Sequence, residues 1–351
     1  MMKLNRYLFV FTLTAIFLLP SIAVSAPDKP STVAELTLYK GADRQQILEE
    51  GARKEGKLTF YTTSTWAPPL VKAFQKRYPY IRVEIWRASS SMLVPRIIEE
   101  YKVGKHIFDV VESTTEAQMV FQEMGITQPF YSPNLAYLEE GATVKAPGQG
   151  VLAAAFRASG LGLGYNTKLI AREQLPKTYH DLLDTKWKGK LPISGTAPGP
   201  WFMGTVLVNY GEDLVRQLAK QEFQVHMISP RGIIDMIIAG EYIFSPTIYD
   251  SHVINSKRKG APVDWVPLEP VHVNIGLIAL PKNVSHPHAA LLFIDFELSK
   301  EGAELRLAGG YSPTRKDVAP PMKAYKKFFG AKSTDETKKW HELFNRLFMK
   351  K

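Results

Sequence analysis

Four short hydroxyl-rich runs are the first feature of this sequence with chemical content: Thr62-Thr63-Ser64-Thr65, Ser89-Ser90-Ser91, Ser113-Thr114-Thr115 and Ser194-Gly195-Thr196. Each stands where an apolar run ends or a helical pattern begins. Hydroxyls and the free backbone N–H groups of a helix start suit phosphate, phosphonate, sulfate or carboxylate groups, because a helix N-terminus carries about half a positive charge. Ser and Thr are also ordinary helix caps, so one run alone decides nothing. Trp66, Trp201 and Tyr249 add flat apolar surface that could sandwich an organic portion or simply fill a core. Asp250, next to Tyr249, adds anionic oxygen.

Catalytic patterns are missing. The chain has no Gly-x-Ser-x-Gly elbow, no His-Glu-x-x-His, no Walker-type phosphate loop and no Gly-x-Gly-x-x-Gly. Nothing assembles a nucleophile, a base and an oxyanion donor, so an enzyme is not expected, and a periplasmic hydrolase is the disfavoured rival. The absence of Cys removes thiol catalysis, Cys-ligated zinc and iron–sulfur clusters. No resident cofactor is expected.

The elements that would position these residues follow from periodicity. Leu58 to Thr62 reads as a buried strand leading into a helix with Leu70, Val71 and Phe74 on its apolar face. Tyr80 to Trp86 alternates as a second strand, before a helical stripe of Leu93, Ile97, Ile98 and Tyr101. Phe108 to Glu112 is a third, followed by a helix from Ala117 to Met124. Strands alternating with helices predict a mostly parallel sheet, whose ligands bind beyond the carboxyl ends of the strands, where the hydroxyl runs fall. Pro129 to Gly160 reads as an irregular passage between lobes. A second α/β series runs through Leu191-Pro192-Ile193, a helix from Trp201, a helix over 233–239 and a strand at Tyr242-Ile243-Phe244. Val273 to Leu280 reads as a strand returning to the first lobe, with helices over 288–298 and 334–349 after it. At 351 residues, two lobes are the default, since single cores stop growing beyond roughly 250 to 300 residues.

Lys3 and Arg6, the apolar run Tyr7 to Leu19 and the small residues up to Ala26 predict a signal peptide over residues 1–26, cleaved after Ala23 or Ala26. No later stretch approaches a transmembrane length, so the expected compartment is the periplasm. The formal charge of +10, less Lys3 and Arg6, still favours anionic partners. Its cations are scattered, with no dense run or aromatic-basic platform, so no nucleic-acid partner is expected.

At Pro176-Lys177-Thr178-Tyr179-His180-Asp181-Leu182-Leu183-Asp184, with Lys186-Trp187-Lys188-Gly189-Lys190, the chain resembles the family 1 extracellular solute-binding proteins, in particular the ferric-iron-binding-protein group that serves ABC importers. Phe108-Asp109-Val110-Val111, Tyr165-Asn166-Thr167, Gly276-Leu277-Ile278-Ala279-Leu280-Pro281-Lys282 and Tyr311-Ser312-Pro313 continue the resemblance in order along residues 50 to 320. It implies a type II periplasmic-binding-protein fold, in which two α/β lobes joined by crossing strands close on a ligand and deliver it to an ABC permease in the inner membrane. It also implies a monomer. The lobes would be residues 27–130 plus 274–316, and 131–273 plus 317–351.

Iron sites in that family use a His, a Glu and two adjacent Tyr, which an ungapped alignment places at Thr65, Thr114, Tyr249 and Asp250. Three of the four depart from the pattern, and Tyr249 with Asp250 offers a bare ferric ion only two hard anionic ligands. The loop that holds the accompanying anion in the family corresponds to Ser194-Gly195-Thr196, which keeps its Ser and Gly. The expected ligand is therefore a small anionic solute, phosphorylated, phosphonate or carboxylate. Thr63, Ser64, Thr65, Ser90, Ser91, Ser113, Thr114, Ser194, Gly195 and Thr196 would bind its polar groups, with Trp66, Trp201 and Tyr249 against its organic part. Two rivals keep the transport role: ferric iron or a ferric chelate on Tyr249 and Asp250, and a cation such as thiamine or a polyamine held by Glu112, Asp250 and aromatic faces.

Overall fold

The computed structural model describes residues 29–319 and 325–349, so the predicted signal segment lies outside the described residues. Two helices lead the described chain: α1 (Val33–Leu38), started by a capping box between Thr32 and Glu35, and α2 (Arg44–Glu55), ended by Gly56 in the left-handed conformation. Three strand–helix units follow: β1 (Lys57–Thr62) with α3 (Ala67–Arg77), β2 (Arg82–Arg87) with α4 (Ser90–Lys102), and β3 (Val110–Thr114) with α5 (Thr115–Glu123). The short β4 (Thr127–Gln128) and β5 (Thr143–Lys145) precede β6 (Val151–Asn166), a strand of 16 residues. The second series is β7 (Pro192–Ser194), α6 (Pro198–Tyr210), α7 (Glu212–Ala219), β8 (Gln224–His226), α8 (Pro230–Ala239), β9 (Phe244–Tyr249), α9 (Asp250–Arg258) and β10 (Val263–Val266). Then come β11 (Val271–Pro281), α10 (Pro287–Leu298), α11 (Lys300–Ala308), β12 (Lys327–Phe328) and α12 (Thr334–Phe348).

The large sheet runs β10-β6-β11-β3-β1-β2, with β5 and β9 also on β6, and β4 and β12 also on β11; β7 and β8 pair separately. Parallel pairing joins β1 to β2 and β3, whereas β6 and β11 run antiparallel to each other and β11 runs antiparallel to β3. The expectation of a mostly parallel sheet is thus met in the first units and corrected at the two long strands. The irregular passage expected over 129–160 is also corrected, because residues 151–160 are the first part of β6. Its Gly and Ala residues are strand positions at which neighbouring backbones and side chains crowd in, as Trp265 does over Gly162.

Two main hydrophobic cores flank β6. One gathers Leu36 to Phe156 with Leu277 to Leu298, and the other gathers Leu161 to Leu268 with Ala331 to Phe348. The change of core therefore falls within β6 and not at residue 130, since the first half of β6 pairs with β5 and the second with β9. The terminal helix α12 closes the second core by laying Trp340 over Gly204 of α6, where a larger residue would collide with the indole. Strand β9 runs straight into α9 without a loop, so Asp250 starts the helix almost fully buried. Its Oδ1 accepts the Ser251 amide at 2.6 Å, its Oδ2 has no partner, and burial pushes the carboxyl up to about 7.

Two stability measurements follow. Trp340→Ala should cost about 3–5 kcal/mol in urea unfolding, as large-to-small core changes do. Asp250 has a folded pKa above its ordinary 3.8, so its contribution is complete below that value and lost as pH rises through about 7. Asp250→Asn cannot ionise, so its melting temperature should gain on that of the wild type by roughly 5 °C between pH 4 and pH 7 and then level off.

Candidate functional site

Five helices begin at one cleft. Ser89 precedes α4, Thr114 caps α5 through its Oγ1 and the Ala117 amide, Ala197 precedes α6, Ser229 precedes α8, and Tyr249 precedes α9. Residues from each of these starts line a cleft with about 700 Å³ of empty volume. Neither Ser89 nor Ser229 spends its side chain on a cap bond, which leaves the first turns of α4 and α8 short of partners. The floor is supplied by the long strands. Their period-two alternation turns Arg157 and Ser159 of β6 and Asn274 of β11 to the cleft, with Asn274 opposite Ser159 and Gly276 opposite Arg157.

The charge of the cleft is one-sided. Arg87, Arg157 and Arg231 line it and no Asp or Glu does. Arg87 has no ion-pair partner among the described residues. Arg231 pairs with Asp235 and donates to Ser256 Oγ at 2.8 Å. His252 is neutral at ordinary pH, because burial, with Arg231, Arg87 and Arg157 adding to it, pushes its pKa down to about 3. Burial pushes the Tyr249 phenol upward, so it keeps its proton.

Beneath the floor lies Glu112, with no exposed surface. It accepts from Thr62 Oγ1, from the Thr63 and Ser64 amides at 2.8 and 3.0 Å, from Thr63 Oγ1 at 3.1 Å and from Arg157 Nη2. Burial opposes ionisation, but the Arg157 guanidinium and the donated bonds outweigh it and hold the carboxyl below its ordinary range. Arg157 Nη2 also donates to Thr63 Oγ1 at 3.2 Å, and its guanidinium lies 5.1 Å from the centre of the Tyr311 ring. A Cβ on Gly276 would lie 2.6 Å from Arg157 Nε, so the glycine makes room for the guanidinium.

Of the residues singled out in the sequence, the cleft brings together Thr63, Thr65, Ser90, Ser91, Thr114, Thr196, Trp201 and Tyr249. Six lie outside it. Ser64 is turned inward and accepts the Trp66 amide. Trp66 donates Nε1 to the Leu305 carbonyl at 3.0 Å and lies over Gly309, so it packs on α11. Ser113 faces away from the side of β3 that Glu112 and Thr114 share. Ser194 is buried, with Oγ on the Ile228 carbonyl at 2.7 Å, and the Gly195 amide is taken by the His226 carbonyl at 2.7 Å. The anion-loop expectation for that pair is therefore corrected: only Thr196 reaches the cleft. Asp250 is buried beside Ser251, which removes it as a ligand to a metal or a cation.

Arg87, Arg157, Arg231, Asn274 and Tyr311 escaped sequence reasoning. Only Arg157 carried a signal, as the single charge in the otherwise uncharged stretch Val151–Asn166. No group of three or more His, Cys, Asp or Glu is placed to hold a metal ion among the described residues.

A family profile described as bacterial extracellular solute-binding protein matches residues 106–333, more than half of the chain. A Haemophilus influenzae relative described as an uncharacterized protein is 26% identical over 278 residues, 74% of this chain and 78% of its own. Among solved structures, iron-bound HitA from Pseudomonas aeruginosa superposes with a TM-score of 0.70 at 21% identity, covering 83% of this chain and 99% of its own. AfuA from Actinobacillus pleuropneumoniae, with exogenous fructose-6-phosphate bound, gives 0.69 at 22% identity, covering 84% and 99%. An ABC-transporter substrate-binding protein from Agrobacterium tumefaciens gives 0.73 at 17% identity, covering 85% and 97%. At such identities these likenesses speak to the fold, and the family profile speaks to kinship. The chain belongs to the bacterial extracellular solute-binding proteins, folded as a type II periplasmic binding protein, and serves solute transport and not catalysis.

Proposed function

We propose that the chain is the periplasmic, monomeric receptor of an ABC importer for a small anionic solute, a phosphorylated, phosphonate or carboxylate compound. The observation that carries this reading is the lining of the cleft: Arg87, without an ion pair among the described residues, beside five helix N-termini, with no carboxylate in the lining and Arg157 and Arg231 paired behind it. AfuA, whose structure holds a sugar phosphate, supports it as a fold relative. Thr65, Ser90, Ser91, Thr114 and Thr196 supply hydroxyls for the anionic group, Thr63 a lone pair for the rest of the solute, and Trp201 and Tyr249 apolar surface beside them. The two halves of the molecule, hinged on β6 and β11, close on the solute and present it to the permease. Iron is less well served, because Asp250 does not reach the cleft and the Tyr249 phenol is held protonated by burial. A cationic solute would meet Arg87, Arg157 and Arg231 with no acid facing it.

Native mass spectrometry of the protein purified from its own periplasm, with elemental analysis of the same sample, should find a stoichiometric small organic mass and no stoichiometric iron. Stoichiometric iron would overturn the reading. In calorimetric titrations with fructose 6-phosphate, Arg87→Ala should weaken binding roughly tenfold or more, as expected for a lost hydrogen bond to a charged group. Wild-type affinity should fall as salt is raised.

A further inference from the structure

Glu112 does more than hold a loop in place. Its carboxylate accepts a hydrogen bond from the Thr63 hydroxyl and pairs with Arg157, two groups that both line the cleft floor. Thr63 Oγ1, whose proton points to Glu112 and which also accepts from Arg157 Nη2, has one lone pair left for the cleft. Asn274 Oδ1, also on the floor, is a buried acceptor without a partner. The charge of Arg157 is cancelled from behind by a carboxylate with no route to water. The floor is thus close to neutral, and its free groups, a Thr63 lone pair, Asn274 Oδ1 and the Arg157 Nε–H, match the mixed accepting and donating needs of solute hydroxyls better than a second anion. The wall opposite in character is built by Arg87, the one cleft arginine without an ion pair among the described residues, and by the uncapped starts of α4 and α8.

We infer that Glu112 is a positioning residue that sets solute selectivity: by neutralising Arg157 and polarising Thr63 it reserves the floor for an uncharged, hydroxylated end, so the receptor takes solutes with one anionic group and rejects those with an anion at each end. This rests on the anion reading above. A second anionic group on the floor would lie on the cleft side of Thr63 and Arg157, both bonded to Glu112, where repulsion is damped less than in bulk water. Replacing the carboxylate with an amide of the same size removes that repulsion and releases the charge of Arg157.

The test compares fructose 6-phosphate with fructose 1,6-bisphosphate by calorimetric titration. Wild type should bind the monophosphate at least about tenfold more tightly than the bisphosphate. Glu112→Gln should shift that ratio toward the bisphosphate by about tenfold, a change of preference that mere loosening of the fold would not produce. Thr63→Val, which keeps the shape and removes the acceptor, should weaken fructose 6-phosphate more than inorganic phosphate, and this variant decides the matter if Glu112→Gln does not fold. Equal binding of both sugars by wild type, or an unchanged preference in Glu112→Gln, would overturn the role of Glu112 alone. Failure of wild type to bind inorganic phosphate or either sugar would overturn it together with the phosphate form of the anion reading.

Discussion

A carboxylate without access to water sits where three segments meet, and the cleft is organised around it. Glu112 comes from β3, its hydroxyl and amide donors from the turn after β1, and its guanidinium from the middle of β6. Burying such a charge is costly unless each lone pair is used and a counter-ion is close. Here the requirement itself does the positioning. To satisfy Glu112 the chain must fold Thr62 to Ser64 around it and bring the long strand alongside, which sets the floor of the cleft. Removing the partner instead of the pair would leave an uncompensated buried ion, so the arrangement holds as a unit.

The two long strands convert this local requirement into an architecture. Because successive side chains on a strand face opposite ways, a single register between β6 and β11 sends Arg157, Ser159 and Asn274 to the cleft. Of the two, β6 passes from one hydrophobic core to the other, Ala153 to Phe156 lying in the first and Leu161 to Tyr165 in the second. The floor and the crossing between the cores therefore share one backbone, and helix starts from both sides look down on it.

Much of this was legible before any coordinates. Hydroxyl runs at strand ends located four sides of the cleft edge because the strand–helix boundary can be read from periodicity, and the first three units appear within a few residues of their expected places. What could not be read was direction. Trp66 and Trp201 both stand near a helix start, yet one lies over Gly309 and the other against His272 at the cleft. Ser194 looked free because the group that uses its hydroxyl, the Ile228 carbonyl, is 34 residues away. Asp250 looked like a ligand because the family alignment set it at a ligand position; β9 runs to Tyr249, beyond the expected strand 242–244, and carries the acid inside. Arg157 was hidden in a stretch whose Gly and Ala content resembled a linker, where only cross-strand register reveals a strand.

Gly276 carries a consequence for how this receptor can change. The space opposite Arg157 on β11 is filled by guanidinium and not by a side chain of its own strand. Any larger residue at 276 must first find the arginine gone or shortened, while a shortened residue at 157 leaves Glu112 unpaired. Three positions distant in the chain are thus tied together: neutralising the acid or shortening the arginine alone leaves the other ion buried and unpaired, and the glycine can acquire a side chain only where the arginine has made room. A change at one of the three is therefore felt at the other two.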